Sequence, residues 1–134
     1  MIKNRMIFAL AFSLFSALVF AVDTPSISQQ ALLTALKAPE HNIIILDVRS
    51  EEEYNQGHIN NAINVSHDMV EEKLGQLAQY KDSTVVVYCR SGRRAGIAEA
   101  VLSKSGFNNI RHLTGDMNGW LEAKLPVVIN KRSH

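Results

Sequence analysis

Cys89 is the only cysteine in a chain of 134 residues, so no internal disulfide can staple the fold, which must stand on its core alone. Proline is scarce, with 3 residues, and no long Gly/Pro/Ser linker, internal repeat or low-complexity tract interrupts the chain. These absences exclude a disulfide scaffold and a repeat array, and leave one domain with one modest core. Charge of one sign is missing too, since 14 basic residues face 13 acidic ones. That balance provides no electrostatic footprint for nucleic acid or a membrane surface. His41, His58, His67, His112 and His134 show no paired ligand spacing, so neither a metal nor any other cofactor is expected.

One long apolar run is present. "MIKNR" leads into the uncharged "MIFALAFSLFSALVF", and small and polar residues return at "AVDTPS". This is the layout of a secretory signal peptide over residues 1–21, with cleavage expected after Ala21 and Val19 at the −3 position. An uncleaved anchor is the alternative, because the run lies near the lower limit of about 17 residues for a spanning helix. Cleavage is favoured, because no Lys or Arg follows closely as a stop signal. Without Lys3 and Arg5 the chain carries a formal charge of −1, and after cleavage it has no membrane partner. The expected location is the periplasm, with full secretion as the alternative, and residues 22–134 form a single domain.

The remainder alternates between strand and helix patterns. Ser28 can cap "QQALLTALK", whose Ala31, Leu32, Ala35 and Leu36 recur at helical spacing. "NIIILDV" is a continuous β-branched run, as in a strand covered on both faces. In "SEEEYNQG" the pair Ser50 and Glu53 forms a capping box and Gly57 a stop, which predicts a short helix. "NAINV" predicts a short strand and "DMVEEKLGQLAQY" an amphipathic helix. "STVVVYC" is the second clear buried strand, "AGIAEAVLSKSG" a helix ended by Gly106, and "NNIRHL" a strand before a segment around Trp120, which is expected to pack. The fold class is α/β, a mainly parallel central sheet with helices on both faces.

Cys89 then falls at the carboxyl end of a buried strand, within a turn of the next helix, where open α/β sheets bind ligands. Gly92 permits the tight reversal between the two. A turn of this kind aims backbone N–H groups at one point, and the helix N-terminus adds partial positive charge. Together with Arg90, Arg93 and Arg94, these features favour thiolate over thiol, and the thiolate is the nucleophile. The structural alternative is an inert buried cysteine beside solvated arginines.

At this point the sequence resembles a known family. "LDVRSEEEYNQGHINNAINV", "YCRSGRRA" and "LTGDMNGW" are similar to the N-terminal signature, active-site loop and Gly-rich segment of rhodanese-like domains, and the likeness covers most of residues 26–121. Asp116 departs from it, standing where the family usually has the second glycine of a pair. The resemblance implies a rhodanese-like domain with a core over about 26–128 and sulfur transfer through a persulfide on Cys89. Arg90, Ser91, Gly92, Arg93 and Arg94 would then form the substrate cradle, with Arg94 at the position where the family commonly has arginine. The donor would be a small anion such as thiosulfate, and the acceptor cyanide, a thiol or a protein partner. Asp47, Arg49 and His58 would be structural signature residues. A non-catalytic sulfur carrier or binding module is one alternative. A cysteine-dependent phosphatase or arsenate reductase is disfavoured, because its longer loop would need arginine at the position of Ala95.

Overall fold

The computed structural model describes residues 23–131, together with Ala9, Ala11 and Ser13. The expected leader otherwise lies outside the described residues. Among these residues no helix is long and apolar enough to cross a membrane.

Five strands make one sheet. They are β1 (Ser26–Ile27), β2 (Ile43–Asp47), β3 (Ile63–Asn64), β4 (Thr84–Tyr88) and β5 (Ile110–Leu113), ordered β1-β5-β4-β2-β3. Every pairing is parallel, with Ile45 opposite Val86 and Val87 opposite His112 near the centre. Parallel neighbours need crossovers, and helices α1 (Gln29–Leu36), α2 (Glu51–Gln56), α3 (Leu74–Leu77), α4 (Arg93–Lys104) and α5 (Asp116–Glu122) lie between and after the strands.

The period-two alternation of a strand explains why β4 reads as uninterrupted apolar sequence. Val85, Val87 and Cys89 face a cluster with Ala95, Ala98 and Leu102 of α4, while Val86 and Tyr88 face one with Leu32 of α1 and Met117 and Trp120 of α5. Both faces are therefore covered, and β4 runs through the middle of the core. Trp120 is buried, and its indole N–H donates to the Pro126 carbonyl at 3.0 Å.

Helix ends follow the local chemistry. The Ser28 hydroxyl caps α1 by accepting from Ala31 N–H, and α2 has the full capping box of Ser50 and Glu53. One expectation fails. Residues 68–80 are not one amphipathic helix but a series of turns, then the four-residue α3, then a single 3₁₀ turn, Ala78–Tyr80. Gly75 lies mid-segment and α3 has no side-chain cap, so local propensity is weak, and burying Val70 and Leu77 suffices to fix the segment. The two-residue β1 had no sequence signal of its own.

Candidate active site

β4 delivers Cys89 to the carboxyl edge of the sheet, and the chain turns over Arg90–Ser91–Gly92 into α4. Gly92 has φ 114°, a left-handed conformation that L side chains avoid. A Cβ there would also stand 3.2 Å from Asp116 Oδ2. Its N–H donates to Cys89 Sγ at 3.0 Å. Among the described residues the leading N–H groups of α4, at Arg93, Arg94 and Ala95, have no acceptor in the protein, as expected of a helix N-terminus open to an anion. Cys89 itself is 1 % exposed, beneath the loop.

The three loop arginines have different situations. Arg90 and Arg93 are exposed and have no carboxylate partner among the described residues. Arg94 is engaged: its Nη1 and Nη2 donate to Glu53 Oε1 and Oε2 at 2.7 and 3.0 Å. That fork, ahead of the Ser50 contacts, holds the Glu53 carboxyl down at about 2. Through Arg94, Glu53 of the acidic run Glu51–Glu52–Glu53 ties α2 to the cysteine loop. Ser91 is exposed at the loop's crest. A depression of about 280 Å³ beside the loop is lined by Arg90, Glu53, Met117, Asn118 and Leu121 among others.

Asp47, Arg49 and His58 form the frame next to this loop. Arg49 Nη2 reaches Asp47 Oδ2 at 2.6 Å, and the Tyr88 hydroxyl donates to the same oxygen at 2.7 Å. Burial, and then the negative Asp47, push the Tyr88 hydroxyl far above its ordinary range, so it stays protonated and donates. Arg49 also donates to the Gly57 carbonyl at 2.8 Å, which anchors the end of α2. The His58 ring stacks on Tyr54 with centroids 3.7 Å apart, and its Nδ1–H donates to the Tyr54 carbonyl at 2.8 Å. All three side chains brace β2, α2 and β4.

On the opposite side of the loop Asp116, which the sequence marks only as a departure from a glycine pair, meets His112 and Glu99. Asp116 Oδ1 accepts the Cys89 N–H at 2.9 Å, and its Oδ2 lies 2.9 Å from His112 Nε2. His112 Nδ1 in turn faces both oxygens of Glu99 at 2.9 Å. The Met117 and Asn118 N–H groups donate to the Cys89 and Arg90 carbonyls at 3.0 and 3.1 Å, so the start of α5 holds the loop by its backbone. In the sequence, the spacing of Asp116 four residues after His112 and its place in a usual glycine pair are the signals that point to it.

The profile of the rhodanese-like domain matches residues 28–123. The chain is 38 % identical over 78 residues to thiosulfate sulfurtransferase PspE of Escherichia coli (strain K12), covering 58 % of this chain and 72 % of that one. It is 30 % identical over 111 residues to a sulfurtransferase of Allochromatium vinosum, covering 83 % and 96 %. Among solved structures, a rhodanese-related protein from Thermoplasma volcanium superposes with a TM-score of 0.69 at 32 % identity, covering 79 % of this chain and 99 % of that one. A doubly covered parallel sheet with a cysteine loop at its carboxyl edge defines the class, and the chain belongs to the rhodanese-like family. That family is of the sulfurtransferase type, working between a sulfur donor and a thiol acceptor in general.

Proposed function

We propose that the chain is a thiosulfate sulfurtransferase that works through a persulfide on Cys89. The Cys89 thiolate attacks the outer sulfur of thiosulfate, a new S–S bond forms, and the old one breaks as sulfite leaves with its electron pair. The terminal S⁻ of the persulfide is then taken by cyanide, giving thiocyanate, or by a thiolate, giving a new persulfide, and the Cys89 thiolate returns. Two covalent states of the enzyme imply ping-pong kinetics. The observation that carries this reading is the Gly92 N–H donating to Cys89 Sγ below the open amides of α4. A loop built around one sulfur suits a second sulfur delivered end-on, and a tetrahedral phosphate less well.

The arginines divide their work. Arg90 and Arg93, exposed and without carboxylate partners among the described residues, attract the dianionic donor. Arg94, clamped by Glu53, holds the loop and does not bind the donor. Residues 1–21 are read as a leader cleaved before Val22, which places a single domain of residues 22–134 in the periplasm. An unpaired thiol suits that compartment, because no second cysteine can disarm it with an internal disulfide.

The intact mass of the protein purified from the cell envelope, before and after thiosulfate, tests this reading. We expect a chain beginning at Val22 that gains one sulfur atom, loses it to cyanide as thiocyanate forms, and gains none after Cys89→Ser. A reduced wild-type chain that gains no sulfur overturns the proposal. Sulfur uptake without release to cyanide or small thiols would favour a carrier serving a dedicated protein partner.

A further inference from the structure

Three ionisable side chains that the sulfur cycle does not use meet behind the nucleophile. Glu99 on α4 is 4 % exposed, Asp116 at the start of α5 is 3 % exposed, and His112 on β5 lies between them. Carboxylates only accept hydrogen bonds, so two of them on one imidazole require both ring nitrogens to donate. His112 is thus an imidazolium, and the bonds to Asp116 first and Glu99 second push it up to about 10. The cavity of about 680 Å³ that opens over His112 brings Asp23, Glu99 and Lys104 to the same face, and Asp116 separates the ring from Cys89.

Asp116 lies against both ends of the loop. Its Oδ1 takes the amide of the nucleophile itself, and its Oδ2 would stand 3.2 Å from a Cβ at position 92. Its own backbone has φ 52°, a left-handed conformation that non-glycine residues avoid, so these bonds hold it against a local preference. A cluster that only packed α4 against β5 and α5 would need no bond to Cys89.

We infer that Asp116, held in turn by His112 and Glu99, is the positioning residue of the nucleophile loop, fixing the Cys89 backbone so that the loop amides converge on Sγ. This inference rests on Cys89 being the nucleophile. Asp116 does not touch the reacting sulfur; it acts through the Cys89 amide.

Asp116→Gly tests it with a residue suited to positive φ, and Asp116→Asn and His112→Gln supply the controls. Three readouts are compared on purified protein: the single-turnover rate of persulfide formation, the rate of Cys89 alkylation by iodoacetamide across pH, and the ring-nitrogen NMR shifts of His112. In Asp116→Gly we expect the rate at saturating thiosulfate to fall about tenfold or more, with donor affinity changed less than about threefold. The wild-type rate should fall near pH 10 as His112 loses its proton. In Asp116→Asn the amide NH₂ needs an acceptor on the ring, so this fall and the NMR titration should both move down by about two pH units or more. His112→Gln should abolish the alkaline fall. Wild-type rates in folded Asp116→Gly, or an alkaline limb unchanged in the other two variants, overturn the inference. If the wild type takes up no sulfur, the sulfurtransferase reading fails separately. The alkylation rates then decide, and identical pH profiles in wild type and Asp116→Gly refute the positioning role.

Discussion

Glu53 belongs to two structures at once. Its Oε1 accepts from the Ser50 N–H at 3.4 Å in the capping box of α2, and both of its oxygens take the Arg94 guanidinium. This places the only clamped arginine of the loop, and it separates Arg94 from Arg90 in a way that kinetics can read. Arg94→Ala should lower turnover severalfold while leaving the apparent affinity for thiosulfate close to wild type, since the guanidinium is held by Glu53. Arg90→Ala should do the reverse, weakening apparent affinity with less effect on turnover at saturation. Steady-state measurements over a range of thiosulfate concentrations check both, and equal loss of affinity in the two variants contradicts the division. Neither substitution should unfold the chain, because a partly exposed ion pair contributes about 1 kcal/mol or less.

At the scale of elements, the junction from β4 through the loop to α4 carries most of the chemistry, and Gly92 is its narrowest point. Gly92→Ala adds a methyl 3.2 Å from Asp116 Oδ2 at φ 114°, where the strain is about 1–3 kcal/mol. The expected outcome is a folded protein whose sulfur uptake slows by about tenfold or more, measured against wild type at a temperature below the melting transition of both. Much of this junction was legible in the sequence. The runs in β2 and β4 are too short and too β-branched for helices, and a lone cysteine, glycine and arginines followed in order. The α2 helix was legible through its capping box. Residues 68–80 misled because apolar spacing outlived the helix that it suggests, and Gly75 with no cap decided the matter. The Glu99–His112–Asp116 line was not legible as a connected unit, for a different reason. Its members sit on α4, β5 and α5, and only the parallel register that sets His112 opposite Val87 brings them together behind Cys89.

For the whole molecule, two groups with shifted titration set the pH dependence of stability. The folded-state value of Glu53 is lowered from 4.5 to about 2, so its contribution is complete above about 4.5 and is lost as pH falls toward 2. His112 is raised from 6.5 to about 10, so its contribution is complete below about 6.5 and is lost as pH rises toward 10. Denaturant midpoints should therefore form a plateau between about pH 5 and 6.5 and decline on both sides, and His112→Gln should flatten the alkaline decline. An alkaline decline as steep in His112→Gln as in wild type would show that other groups control it. The sheet order also determines when the molecule can become complete. β1, at the start of the described domain, pairs only with β5, through Ser26 with His112 and Ile27 with Leu113. A chain emerging from its N-terminus therefore carries an unmatched first strand until nearly the whole domain has followed. That pairing joins residues far apart in the chain, so closing this edge of the sheet is expected to come late in folding. A domain that closes last between its two ends stays threadable until then, which is the property a polypeptide crossing a membrane unfolded needs.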